Sequence, residues 1–106
     1  MISIVDRKKR LELHLPVKVK GADEGGHSFS EETRTRNLSA GGICFESRYH
    51  VPVGGRVSLE IAIPEGMRKH FGGQAVYAVS AVVCRIERFE EGAVSRIGAR
   101  FIGRSG

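Results

Sequence analysis

Leu11, Leu13, Leu15, Val17 and Val19 alternate with Glu12, His14, Pro16, Lys18 and Lys20, a period of two that predicts a β-strand with one buried face. Pro16 cannot donate a ladder hydrogen bond, which predicts an edge or bulge position there. Gly21 to Gly26 reads as a turn, and the polar, threonine-rich stretch 28–38 as a second strand. The glycine pair Gly41-Gly42 permits a sharp bend before a third segment, Ile43-Cys44-Phe45-Glu46. After the turn Pro52-Val53-Gly54-Gly55, Val57, Leu59, Ile61 and Ile63 alternate with Ser58, Glu60 and Ala62 until Pro64-Glu65-Gly66 ends the strand. The stretch 74–89, rich in Val and Ala, reads as one long bent strand; Glu90-Glu91-Gly92 turns the chain, and 94–102 closes it with Ile97, Ala99 and Phe101 on one parity. Six strand-like segments at short spacing predict an all-β antiparallel barrel or sandwich with little or no helix. Closure into a barrel would remove exposed edges.

A length of 106 residues allows one domain with a real core. Hydrophobic residues at 41% and charged ones at 27% are ordinary for a soluble folded chain. No apolar run approaches the roughly 18 residues of a membrane-crossing helix, and Met1-Ile2-Ser3-Ile4-Val5 runs into charges without the pattern of a secretory signal. A cytoplasmic location without membrane insertion is therefore expected. The net charge of +5 and the pI near 9.7 attract anions: nucleotides, nucleic acid or acidic head groups. Nucleic acid is disfavoured, because a chain with no Trp, five Phe and two Tyr is poor in stacking platforms. Cys44 and Cys84 each sit in an apolar stretch and are expected to be buried, reduced and inert. No cysteine or histidine cluster has zinc-ligand spacing. The lack of a P-loop, a Ser/His/Asp set or paired carboxylates in a recognisable context points away from an enzyme, with no cofactor expected.

The densest chemistry lies in Thr35-Arg36-Asn37-Leu38-Ser39-Ala40-Gly41-Gly42-Ile43-Cys44-Phe45, downstream of the basic run Arg7-Lys8-Lys9-Arg10. An amide offers both donor and acceptor atoms and a hydroxyl can do either, so Asn37 and Ser39 could read hydrogen-bonding edges of a small anion held by the N-terminal cations. Asn-x-Ser before Gly-Gly is also ordinary turn chemistry, in which side chains bond their own backbone. Arg34 and Arg36 share strand parity ahead of Asn37 and are secondary candidates. Arg85, Arg96 and Arg100 read as the solvated face of later strands.

In order along the chain, a basic N-terminal segment, the Leu15-Pro16-Val17 strand, the Asn37-x-Ser39-x-x-Gly42 turn and a final strand carrying Gly98-Ala99-Arg100-Phe101 resemble the PilZ domain family. The resemblance implies a six-stranded antiparallel β-barrel spanning 11–106 behind a flexible basic segment, 1–10. It also implies a bacterial receptor for the second messenger cyclic di-GMP, working through a protein partner of unknown identity. Asn37, Ser39 and Gly42 match the family's [DN]-x-S-x-x-G half in full. In the R-x-x-x-R half, Arg10 takes the second position, but the register of the first falls on Asp6. The available arginine is Arg7, which leaves R-x-x-R. The ligand set implied is Arg7, Arg10, Asn37, Ser39 and Gly42, with Arg36 and Arg34 in support. The Asp6 departure leaves open a degenerate PilZ domain that binds no nucleotide and acts as a protein-interaction module. A nonspecific nucleic-acid barrel stands as a third alternative.

Overall fold

The computed structural model describes residues 13–89, 92 and 94–104. They form six antiparallel strands: β1 (Pro16–Ala22), β2 (Ser28–Leu38), β3 (Gly42–Ser47), β4 (Arg56–Ala62), β5 (Val76–Arg88) and β6 (Ser95–Arg104). The strands close in the order β1-β2-β3-β6-β5-β4, with β4 pairing back onto β1. The barrel alternative is thus the correct one of the two. Each strand has a neighbour on both sides, so Pro16 is not on an edge strand. It opens β1 opposite Arg34, one residue before pairing with β4 begins at Val17, a start position that tolerates a missing N–H.

The inward parity is apolar around the barrel. Val17 and Val19, Ile43 and Phe45, Val57, Leu59 and Ile61, Val79, Ala81 and Val83, and Ile97 and Ala99 share one core. The outward parity is mostly charged or small. Between β1 and β2, the Asp23 carboxylate accepts hydrogen bonds from the backbone N–H groups of Gly25 (3.0 Å) and His27 (2.9 Å). The His27 backbone bond leads in holding this carboxyl below its ordinary range. The sign follows from linkage: the turn is supported above the unfolded carboxyl's pKa and loses that support as pH falls through the lower folded value.

One element was not expected from the sequence. After Pro64, Glu65–Phe71 forms a short 3-10 helix, closed by Gly72 at φ 73°. Its Phe71 is buried and packs on Tyr77 at 5.0 Å between ring centroids. Seven residues are too few to display a helical stripe, and tertiary packing of Phe71 and Met67 on the barrel accounts for the element.

The cysteine expectation holds for Cys44, which is buried, and fails for Cys84, which is exposed. In β5, Val83 pairs with Ala99 but Arg85 pairs with Gly98, so Cys84 is an extra residue in a β-bulge. Val79, Ala81 and Val83 face inward, so alternation alone turns Cys84 outward, and the bulge keeps Arg85 outward beside it.

Gly42 is demanded by strand packing. A Cβ there would lie 2.6 Å from the backbone oxygen of Ala99, which cannot swing away as a side-chain tip could. Gly42→Ala is therefore expected to cost about 1–3 kcal/mol, as overpacking against backbone does. Gly66→Ala, whose Cβ would meet nothing within 4 Å, should stay within about 0.5 kcal/mol of the parent. Urea unfolding of the two variants compares them directly.

Candidate functional site

Two bulges shape one outer region of the barrel. In β2, Thr35 pairs with Phe45 and Asn37 with Cys44, leaving Arg36 as the extra residue. Thr35 and Leu38 are both fully buried, so the two residues between them, Arg36 and Asn37, both face outward. The β5 bulge does the same for Cys84 and Arg85. Between the bulges the register draws a row across four strands: Asn37 beside Cys44, Cys44 beside Gly98, and Gly98 beside Arg85. Small residues hold the middle of that row and long polar ones its ends, so the surface sinks into a trough.

The trough has two compartments that share Arg85. The larger, about 490 Å³, runs from the turn Ser39-Ala40-Gly41-Gly42 over Gly98 to Cys84, Arg85 and Arg100. The smaller, about 260 Å³, is lined by Arg36, Asn37, Cys44, Arg85, Glu87 and Arg96. Both are open clefts on the barrel's outer face, suited to a ligand that lies along the sheet.

The structure brings Asn37, Ser39, Gly42 and Arg36 to this trough. Ser39 is 5% exposed. Its hydroxyl lies within the turn, accepting from Gly41 N–H at 3.3 Å and directed to the Gly42 carbonyl at 3.4 Å. The turn also closes through Ser39 N–H to the same carbonyl at 3.0 Å, and the Gly41 carbonyl accepts from Phe101 N–H at 3.0 Å. The turn chemistry anticipated for Asn-x-Ser-x-x-Gly is thus present beside any ligand role. Arg36 reaches Glu46 at 3.7 Å. Arg34 does not line either compartment: it is exposed opposite Pro16 and donates to the His14 carbonyl at 3.2 Å. Shared parity puts it outside the barrel, but the bulge that follows it turns Arg36 and Asn37 toward β3.

Arg7 and Arg10 lie outside the described residues, as does the division at residue 10. Leu13 and Leu15, the first apolar residues described, are anchored on β2. The buried Thr35 hydroxyl donates to the Leu13 carbonyl and accepts from Leu15 N–H at 2.9 Å, while Thr35 N–H donates to the Leu15 carbonyl at 2.9 Å. Leu13 is therefore pinned one residue from Arg36.

Arg85, Arg96 and Arg100 were read from sequence as a solvated face, yet all three line the trough. The available signal was the parity of Arg96, Gly98 and Arg100 against Ile97, Ala99 and Phe101. That parity gives the face, whereas the neighbours across it depend on strand pairing.

A PilZ domain family model matches residues 6–105, and the chain belongs to the PilZ domain family. Solved structures similar to it include the inhibitor of motility MotI/DgrA from Bacillus subtilis, with a TM-score of 0.67, 20% identity, and coverage of 96% of this chain and 45% of that one. MrkH from K. pneumonia in its apo state is similar at a TM-score of 0.62 and 13% identity, covering 94% of this chain and 44% of that one. The K. pneumonia MrkH complex with c-di-GMP gives a TM-score of 0.56 and 15% identity, over 91% and 43% of the two chains. At these identities the likeness is one of fold, and this chain spans less than half of each structure's length. No curated protein sequence matches the chain. Among the described residues no helix is long and apolar enough to cross a membrane.

Thr35→Val removes a buried hydroxyl with two partners while keeping the side chain's shape. It should lower stability by about 1–3 kcal/mol, because Leu15 N–H and the Leu13 carbonyl lose their partner. Thr35→Ser, which keeps the hydroxyl, should cost less. Chemical denaturation of both variants provides the comparison.

Proposed function

We propose that this PilZ domain is a cyclic di-GMP receptor, a regulatory binding domain rather than a catalyst. The observation that carries the reading is the row Asn37-Cys44-Gly98-Arg85, which puts a low floor between an amide and a guanidinium beside the motif turn. A cyclic dinucleotide has two phosphates and two guanines and needs both cations and hydrogen-bonding edges. The trough offers Arg36, Arg85, Arg96 and Arg100 together with Asn37 and the turn. Arg7 and Arg10, ahead of Leu13 in the chain, would add the cations of the family's basic half. An arginine fork binds phosphate, or the O6/N7 edge of guanine, in a bidentate way that lysine cannot match. Closing that segment over the trough would change the surface offered to a protein partner, a disorder-to-order switch.

A second reading is favoured by two observations: the Ser39 hydroxyl and Gly42 are already explained by the turn and by strand packing. On that reading the motif survives as architecture and the domain docks a protein without nucleotide.

Isothermal titration calorimetry with cyclic di-GMP at physiological salt, with cyclic di-AMP and GTP as controls, separates the two. The receptor reading expects selective binding at micromolar affinity or tighter, loss of binding in Arg10→Ala, and tighter binding in Asp6→Arg. Ligand at a hundred times its dissociation constant should stabilise the fold by about 2.7 kcal/mol, a rise in melting temperature of roughly 10–20 °C for a domain of this size. Absence of both heat and a melting shift selects the protein-docking reading.

A further inference from the structure

The smaller compartment holds a feature that the fold does not explain. Arg96 carries a buried Nε–H with no hydrogen-bond partner. Its guanidinium lies over the Phe89 ring, 5.0 Å from the centroid, which covers one face and leaves the in-plane donors as its remaining means of contact. Carboxylates flank it in the register on both sides, Glu46 on β3 and Glu87 on β5. Glu46 is engaged by Arg36, and among the described residues Arg96 enters no ion pair. A buried donor left unpaired is costly and uncommon in native folds, so a shift of the Arg96 side chain that pairs its guanidinium with a ligand's acceptors would be favoured.

The lining chooses among acceptors. Phosphate would suit the three arginines but would meet the Glu87 carboxylate, which repels it. Guanine suits both signs. Its N7 and O6 accept side by side, matching an arginine fork, and its N1–H and N2–H₂ donate side by side, matching a carboxylate that only accepts. Adenine replaces O6 with a donor and N1–H with an acceptor, and so mismatches both groups.

Resting on the cyclic di-GMP reading, we propose that Arg96 and Glu87 read one guanine of the ligand. Arg96 donates from its two terminal nitrogens to N7 and O6, and Glu87 accepts from N1–H and N2–H₂. The second guanine falls to the larger compartment beside the Ser39–Gly42 turn. Selectivity for guanine over adenine is therefore built into β5 and β6 as well as the motif turn.

The test is calorimetric titration of the full chain and of the Arg96→Lys and Glu87→Ala variants with cyclic di-GMP and cyclic di-IMP, whose hypoxanthine bases lack the N2 amino group. Arg96→Lys keeps the charge and loses the fork, and should weaken cyclic di-GMP binding roughly tenfold or more. The parent should prefer cyclic di-GMP to cyclic di-IMP, and Glu87→Ala should shrink that preference. Thermal melting of the free variants reports whether each is folded; should Arg96→Lys not fold, the analogue preference of Glu87→Ala decides alone. Parent binding with unchanged affinity in Arg96→Lys, or with undiminished analogue preference in Glu87→Ala, overturns this assignment and leaves the receptor reading standing. No binding by the parent overturns both.

Discussion

A closed six-stranded barrel depends on strict alternation: each strand must send every second side chain inward, and no free edge exists where a register error could be absorbed. The trough exists because that alternation is broken at two places that face one another. An extra residue in β2 turns Arg36 and Asn37 outward together, and an extra residue in β5 does the same for Cys84 and Arg85. Two consecutive outward residues at each end make the walls, and the regular strands between them supply the floor. Bulges re-aim side chains at the cost of local pairing, and here both serve the same surface.

Floor and walls differ in what limits them. Gly42 is held by backbone, since the Ala99 carbonyl leaves no room for a Cβ. Gly98 is looser: a Cβ there would sit in ordinary contact with the Arg85 side chain, 3.6 Å away. A larger residue at 98 would raise the floor and displace an arginine without straining the barrel. Thr35 ties the residues ahead of β1 to β2. Its hydroxyl and N–H bond both Leu13 and Leu15, so these two residues are fixed beside the bulge that presents Arg36. Gly42 and the Ser39 hydroxyl are accounted for by strand packing and by hydrogen bonds within the turn.

Much of the barrel was legible in the pattern of apolar residues. The second strand is Ser28–Leu38, as its polar, threonine-rich run indicated, and β4 and β6 lie within a residue or two of their alternating stretches. The 3-10 helix at Glu65–Phe71 escaped because it is too short for a periodic signal and is held by Phe71 packing. Cys84 was misplaced because an apolar neighbourhood says nothing of parity: Val79, Ala81 and Val83 point inward and leave Cys84 on the outer face. Similar limits hid one side of the trough: parity puts Arg96 and Arg100 outward but is silent on which strands lie beside them, and only the β5 bulge turns Arg85 outward.

Local chemistry was sufficient to determine most strand segments and the turn at Asn37-x-Ser39-x-x-Gly42, because alternation and turn propensity act over a few residues, and the order of those motifs carried the resemblance to the family. Tertiary structure decided the rest. Pairing between β3 and β6, about fifty residues apart in the chain, brings the motif turn against Gly98 and Arg100, and pairing of β5 with β6 adds Arg85 and Glu87. Register between distant strands is set by how the whole core packs, so the charges that surround the turn could be counted from the sequence but not assembled from it.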